Sequence, residues 1–421
     1  MIEAVYNACV RCGLCLPTCP TYLETMTETS GPRGRISLIA DVDQGRLELL
    51  SPGFVEQMSQ CLDCRACEAA CPSGVRYGSL LEEMRARIER AQAPNRSAGR
   101  RRVRELLLHR LFRSGRLMRA AAAVVRAGQR TGLHVAAARL LGLGDAAALA
   151  PEIPERAFVP NDQRYEVAGA AGTAFLHAGC VMSVAFAPVH EATIRMLNRA
   201  RMNVVVPRDQ GCCGAIAVHA GEPDFARELA KRNIVAFERS GADVYVVNAA
   251  GCGSALKETD RLFADDPEWS ERAARFSARV RDAIEVLDAM DLDPRIGALD
   301  VEVTYQEPCH LVHAQRVSAA PRRLLAQIPG LRLIEMEERT ICCGGAGIYN
   351  LTQPEMAKRL QRRKVEHIRA TGAAIVVTAN PGCAMQVASG LRSDGSRVEV
   401  KHLVELLDEA YARYGAAVNR A

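Results

Sequence analysis

The chain has 421 residues, 48% of them hydrophobic and 24% charged, with a formal net charge of +5. These values are ordinary for a soluble globular protein, and the length allows about three domains. Sixteen cysteines, under 4% of the chain, are too few for a small disulfide scaffold. The opening MIEAVYNACVRCGLC lacks a basic region followed by an apolar one, so no secretory signal is read. Arg126, Arg130 and Arg139 interrupt the alanine- and leucine-rich stretch near 120 to 150, which leaves no uncharged apolar run long enough to span a bilayer. The expectation is a cytoplasmic protein, and in a reducing compartment metal ligation becomes the leading explanation for the cysteines.

Residues 1–95 carry eight cysteines and are expected to form one domain. CVRCGLCLPTCP (9–20) and CLDCRACEAACP (61–72) both read C-x2-C-x2-C-x3-C-P. Three thiolates at three-residue steps let one curled loop reach three corners of a cluster, while the fourth cysteine ligates the other cluster. Cys9, Cys12, Cys15 and Cys71 are thus assigned to one [4Fe-4S] cluster, and Cys61, Cys64, Cys67 and Cys19 to the second. Paired zinc sites are the competing reading, although structural zinc usually takes two C-x2-C pairs across a longer loop. GPRGR (31–35), between the runs, reads as a glycine-rich turn with surface arginines; the alternative sets its arginines near a cluster, raising its potential. LLEEMRARIERAQ then predicts a helix with Leu80, Leu81, Met84 and Ile88 on one face, closed by Pro94.

Residues 96–165 read as a basic helical connector, with twelve arginines against the single acid Glu105 between Arg96 and Arg139. One reading is a solvated basic face; the other is a docking surface for an acidic subunit or anionic lipid. No nucleic-acid partner is expected, since the stretch from Arg96 to Arg139 has one aromatic, Phe112, and no recognisable nucleic-acid module accompanies it. Three prolines in PEIPERAFVP mark a boundary.

From residue 166 onward the chain reads as two copies of one unit, 166–295 and 296–421. GTAFLHAGC and VEVTYQEPCH are strand patterns ending at a cysteine, as are VYVVNAAGC and AIVVTANPGC. Helical stretches such as DFARELAKRNIVAFERSG and QPEMAKRLQRRKVEHIRATG lie between them and end in glycines suited to C-caps. Strands alternating with helices predict parallel sheets with crossover helices. The spacing between copies is 129 from Cys180 to Cys309, 130 from Cys212 to Cys342 and 131 from Cys252 to Cys383, a steadiness that indicates duplication. The expected fold class is therefore α/β, with an N-terminal α-helical ferredoxin-type domain followed by two duplicated βαβ-type units.

Each copy contains adjacent cysteines, Cys212–Cys213 and Cys342–Cys343, followed by glycine. Neighbouring α-carbons lie about 3.8 Å apart, short of the roughly 4.4 Å lower limit for an ordinary disulfide. Ligation of one metal centre avoids that strain, and the glycine lets the backbone curl so that both side chains converge. The candidate ligands are Cys180, Cys212, Cys213 and Cys252 in the first copy, and Cys309, Cys342, Cys343 and Cys383 in the second.

The patterns C-x31-CCG-x37-C and C-x32-CCG-x38-C resemble the CCG domains of heterodisulfide reductase, anaerobic glycerol-3-phosphate dehydrogenase and lactate-utilisation proteins. Two ferredoxin runs followed by AGCV, NAAGCGSALKE, EPCHLVHAQ, CCGGAGIYNLTQPEMA and NPGCAMQ are most similar to the iron-sulfur subunits of bacterial glycolate oxidases. The sequence departs from the full CCG motif in its last cysteine, replaced by Ala255 and Gln386, so each quartet fits one further iron-sulfur cluster or one zinc ion. His310 and His313 flank Cys309 and are read either as ligands or proton relays or as ordinary polar contacts. The resemblance implies an electron-transfer subunit of a glycolate or 2-hydroxy acid oxidase, with FAD-containing partner subunits and a membrane or quinone acceptor. It also implies a place in the cytoplasm, peripheral on the inner face of the membrane. No G-x-G-x-x-G follows a strand, so the flavin and the chemistry on glycolate are assigned elsewhere. The alternatives are a catalytic CCG-type reductase and a zinc-stabilised assembly scaffold.

Overall fold

A computed structural model of the chain describes residues 2–132, 138, 140, 144–290 and 292–418; Arg139 lies outside the described residues. The chain is mixed α/β. Its N-terminal part is helical, with Ile2–Asn7, Pro20–Thr25, Pro32–Asp43, Pro52–Gln60 and Tyr77–Gln92 as the main elements. Pro20, Pro32 and Pro52 each open a helix, where a missing N–H costs nothing. The helix Tyr77–Gln92 buries Leu80, Leu81, Met84 and Ile88 against Ile39, Phe54 and Met58. Both cysteine runs make the same curl: Arg11 and Gly13 in the first, and Asp63 and Arg65 in the second, all have positive φ.

A helical run from 98 to 113 and a helix Gly115–Thr131 lead towards two sheets. The first contains β1 (Gln163–Tyr165), β2 (Gly172–Leu176), β3 (Met202–Val206), β4 (Val244–Val247) and β5 (Val280–Asp282), in the order β1-β3-β2-β4-β5. Only β1 is antiparallel, paired with β3. The second contains β6 (Val301–Tyr305), β7 (Leu331–Leu333), β8 (Ile375–Thr378) and β9 (Glu399–His402), all parallel, in the order β7-β6-β8-β9. Apart from β1, the two orders correspond strand for strand. The helices Pro223–Ser240 and Pro354–Ala370 fall where the apolar periodicity puts them, and Gly241 caps the first in the left-handed region. One apolar core runs through both halves: Leu176, Val204 and Val246 of the first sheet share it with Val303, Tyr305 and Val377 of the second. At the seam the Ala250 N–H donates to the Ala379 carbonyl at 3.1 Å, and the Gly251 N–H to Asn380 Oδ1 at 3.1 Å.

The helical N-terminal part is fastened to both halves through the second cysteine run. Arg65 is almost fully buried and reaches Asp63 at 3.0 Å, Glu82 at 2.8 Å, Glu258 at 3.3 Å and Glu68 at 3.4 Å. Its guanidinium occupies space left by Gly78, where an added Cβ would fall 2.1 Å from it. Asp63, Glu82 and His219 converge within 4.8 Å of one another, a grouping suited to a cation, and Arg65 supplies that charge. Burial alone would raise the Asp63 carboxyl, but Arg65 and His219 outweigh it and hold the group far below the usual carboxylate range. Nε2 of His310 lies 2.8 Å from the Asp63 carbonyl, and the Tyr349 hydroxyl donates to the Gln60 carbonyl at 2.8 Å.

Removing one partner from a buried ion network costs about 3–5 kcal/mol because the other charges stay buried and unpaired. Arg65→Met is therefore expected to lower the thermal unfolding midpoint markedly in the metal-loaded chain. Arg65→Lys should recover only part of the loss, since an ammonium cannot reproduce the fork. Circular dichroism melts check this, and an unchanged midpoint in Arg65→Met would show that the network contributes nothing.

Candidate metal centres

Within the first run Cys12 is exposed, Cys9 and Cys15 are half-buried and Cys19 is buried. Cys9, Cys12, Cys15 and Cys71 line one small cavity together with Cys67 and Arg33. The Val75 N–H donates to the Cys71 sulfur at 3.4 Å, and the Asp63 N–H to the Cys61 sulfur at 3.5 Å. Such donors favour a sulfur carrying negative charge. Burial, and then the thiols of Cys64, Cys61 and Cys19, push the Cys67 thiol up, so these four sulfurs face one another. The fourth cysteine of each run thus stands beside the other run's first three.

GPRGR is not a turn with surface arginines. It enters the helix Pro32–Asp43, and Arg35 is 1% exposed, donating to Thr21 Oγ1 at 3.0 Å, the Gln57 carbonyl at 2.9 Å and Gln60 Oε1 at 3.3 Å. Thr21 in turn lies 3.3 Å from the Cys19 sulfur. Arg33 is partly exposed, paired with Glu28 at 2.6 Å, and donates to the Arg11 carbonyl inside the first curl at 3.1 Å. The arginines were drawn inward because the neighbouring loops present carbonyls that need donors.

The four sulfurs of each later quartet arrive from the carboxyl ends of three parallel strands, where open α/β sheets bind ligands. Cys180, Cys212–Cys213 and Cys252 follow β2, β3 and β4; Cys309, Cys342–Cys343 and Cys383 follow β6, β7 and β8. Gly214 and Gly344 each have φ of +85°, the left-handed turn that lets adjacent cysteines converge. The sulfurs of Cys180 and Cys212 are 3.6 Å apart, and those of Cys309 and Cys342 3.8 Å. All eight cysteines line a single cavity of about 170 Å³ between the two sheets, and His219, His310, Asn380, Met182 and Met385 are also part of its wall. Strand ends that meet at the seam bring the quartets face to face. An adjoining crevice shares Ile216, His219 and Ala346 with this cavity and reaches outward past Cys61 to Arg104 and Glu89.

His310 lines the cavity, and burial pushes it down to about 4, so it is neutral at physiological pH. His313 points elsewhere, its Nε2 lying 3.0 Å from the Thr340 carbonyl. Neither Ala255 nor Gln386 lines the cavity. Gln386 is buried, donating to the Ala357 carbonyl at 3.2 Å.

Sequence reasoning missed Lys364, which is 2% exposed and donates to the Glu338 carbonyl at 2.6 Å. Burial lowers its pKa, while the sulfurs of Cys343 and Cys342 oppose that. Hydrogen bonds from Cys342 and Cys383, aided by Lys364, hold Cys343 well below the usual thiol range, whereas hydrogen bonding and burial push Cys342 up. The available signal was a lysine on the stripe Met356, Leu360, Val365 and Ile368. Asp63 and Arg65 were also legible, as charged residues inside a cysteine run.

All-thiol quartets on tight, N–H-rich loops fit iron-sulfur clusters, and the fold and its cysteine sets define an iron-sulfur protein built from a dicluster unit and two cysteine-rich domains. A 4Fe-4S dicluster domain model matches residues 5–75, and the cysteine-rich CCG domain model matches residues 174–257 and 303–388. The chain is 41% identical to the probable glycolate oxidase iron-sulfur subunit of Bacillus subtilis (strain 168), over 97% of this chain and 95% of that protein. It is 31% identical to the glycolate oxidase iron-sulfur subunit of Escherichia coli (strain K12), with the same two coverages. One subunit of the fumarate reductase (CoM/CoB) of Methanothermobacter marburgensis is 28% identical over 96% of this chain and 72% of its own length. The chain belongs to the glycolate oxidase iron-sulfur subunit family.

Crossing of the fourth cysteines sets a specific expectation. Cys71→Ser should damage the cluster of the first run, seen as loss of its electron paramagnetic resonance signal, while the second run's signal persists. Loss of the second signal with the first intact would overturn the assignment.

Proposed function

We propose that this chain is the electron-transfer subunit of a glycolate oxidase complex. It takes electrons one at a time from FAD-containing partner subunits and hands them towards a membrane or quinone acceptor from the cytoplasmic side. Cys9, Cys12, Cys15 and Cys71 hold one [4Fe-4S] cluster, and Cys61, Cys64, Cys67 and Cys19 the second. Each later quartet holds one further cluster or a zinc ion, on two domains that arose by duplication. When bound, the clusters supply one-electron carriers.

The observation carrying this reading is the contiguity of the cysteine sets. Cys64 shares one buried apolar cluster with Cys342, and Cys309 packs against it. Cys12 stands exposed at the other end, beside Val10 and Leu14, which are 68% and 59% exposed. The row therefore runs from the surface to the shared cavity, as a relay between two partners requires. The protein's own part is to hold sulfurs in order, exclude water from the inner sets, and keep buried cations beside them.

Loaded anaerobically with iron and sulfide, the isolated chain should be reduced by dithionite yet leave glycolate unoxidised; adding the flavoprotein partner should make glycolate reduce it. Glycolate turnover by the chain alone would overturn this. About eight irons per chain would assign iron to the ferredoxin runs only, and about twelve to sixteen would include the CCG quartets. Cys343→Ser and Cys213→Ser should each lower iron and slow electron transfer to acceptor, leaving the signals of the first two clusters in place. A zinc quartet would instead lose stability with electron transfer unchanged, because zinc has no redox chemistry.

The single cavity favours a second reading, a CCG-type reductase whose substrate enters between the quartets. Turnover of a disulfide or quinone by the isolated chain with a reduced dye would select it.

A further inference from the structure

Fourteen large hydrophobic side chains are exposed among the described residues, and seven of them fall between Val103 and Leu140. That concentration in a short part of the chain is not the scattered exposure normal for a surface. Val103, Leu106 and Leu107 lie at helical spacing on the outer face of the run 98–113, at 57%, 54% and 54% exposure. Leu117 and Val124, two turns apart on the helix Gly115–Thr131, are 46% and 74% exposed.

These are not the faces that pack against the fold. On the inner side Leu108 is buried, Arg104 pairs with Glu222 at 2.7 Å, and His109 stacks on Phe225 at 4.6 Å between ring centroids. Met118 of the second helix is buried against Val184 and Ala185, with Phe112 and Ala122 beside it. Each helix therefore has one apolar face docked and a second left bare. Arg102, Arg110 and Arg116 are exposed and flank the bare faces by helical spacing, with no carboxylate partner among the described residues.

We propose that the outer faces of these two helices form a docking surface for an anionic lipid bilayer. Aliphatic side chains flanked by arginines are the composition of an interfacial helix, in which leucine and valine enter the headgroup boundary while arginine stems extend to phosphates. The apolar side chains project from helical ridges, and the segment's one aromatic, Phe112, is turned inward. A protein interface would be expected to present tyrosine, tryptophan or a receiving groove. The assignment gives the proposed delivery to a membrane acceptor a place on the molecule and in that sense rests on it, but the surface is read from exposure and charge.

The test uses the full metal-loaded chain and sedimentation with vesicles of phosphatidylcholine alone or mixed with phosphatidylglycerol. Binding should need the anionic lipid and weaken with salt. The double variants L106Q/L107Q and L117Q/V124Q, and R102E/R116E, should each reduce binding about tenfold or more, with iron content and dye-linked electron transfer unchanged. Leu351→Gln, also exposed but on another helix, should bind like the parent. Equal binding to neutral and anionic vesicles, or parental binding by all three double variants, overturns the proposal. So does retained vesicle binding with lost co-elution of the flavoprotein, which would make the occupant an acidic protein. Absent vesicle binding with flavoprotein-fed electron transfer intact removes this inference alone; failed electron transfer with vesicle binding intact removes the proposed function alone.

Discussion

The buried guanidinium of Arg65 is the constraint on which the arrangement of the cysteine sets depends. It sits inside the second ferredoxin run, at positive φ, and binds carboxylates from its own loop, from the helix Tyr77–Gln92 and from Glu258 in the first sheet's half. A charge buried to this extent is tolerable only if every partner is in register. The ion network therefore fixes the angle at which the helical part meets the sheets. Through it, Cys64 is pressed against the loop of Cys342, and His310 and His219 approach Asp63 from the two halves.

Much of this was legible from sequence because it depended on local chemistry. The strands β2, β4, β6 and β8 end in a cysteine or lead directly to one, and their apolar runs are bounded by glycine and helical periodicity. The curl of each ferredoxin run followed from three-residue cysteine spacing, and the helix Tyr77–Gln92 from the stripe of Leu80, Leu81, Met84 and Ile88. The short strands β5 and β7 were not read. Three residues such as VRD or LRL are too short for alternation to stand out, and they become strands because a neighbouring strand supplies hydrogen-bond partners.

What could not be read was any contact between distant segments. Nothing in GPRGR says that Arg35 will meet the Gln57 carbonyl, and nothing in either CCG motif says that the two quartets will share a cavity. Both outcomes follow from how whole elements dock. The seam bonds from Ala250 to Ala379 and from Gly251 to Asn380 hold the ends of β4 and β8 together, so strand ends that look independent in sequence open into one space. The departures at Ala255 and Gln386 also gain meaning here. Gln386 spends its amide on the Ala357 carbonyl, so the missing fifth cysteine is replaced by packing and a hydrogen bond.

The two halves are not electrostatically equivalent, and the difference falls beside the cysteine quartets. Lys364 stands ten residues after Pro354, and the residue ten after Pro223 is the neutral Asn233, which donates to the Cys212 carbonyl at 2.9 Å. The second quartet thus has a buried ammonium nearby where the first has an amide. Arg35 plays a comparable part beside Cys19 and Cys61, whereas Arg33 at the exposed first run is paired with Glu28. A buried cation favours the more negative, reduced state of any redox group beside it, and low local dielectric keeps that effect from being screened. The buried cations that face cysteine sulfurs are thus Arg35 at the second ferredoxin run and Lys364 at the second quartet, two sets that share one apolar cluster. At the second ferredoxin site that effect is opposed by the four carboxylates gathered on Arg65, so the contrast that survives is the one between the two quartets, an ammonium beside Cys342 and Cys343 against an amide beside Cys212.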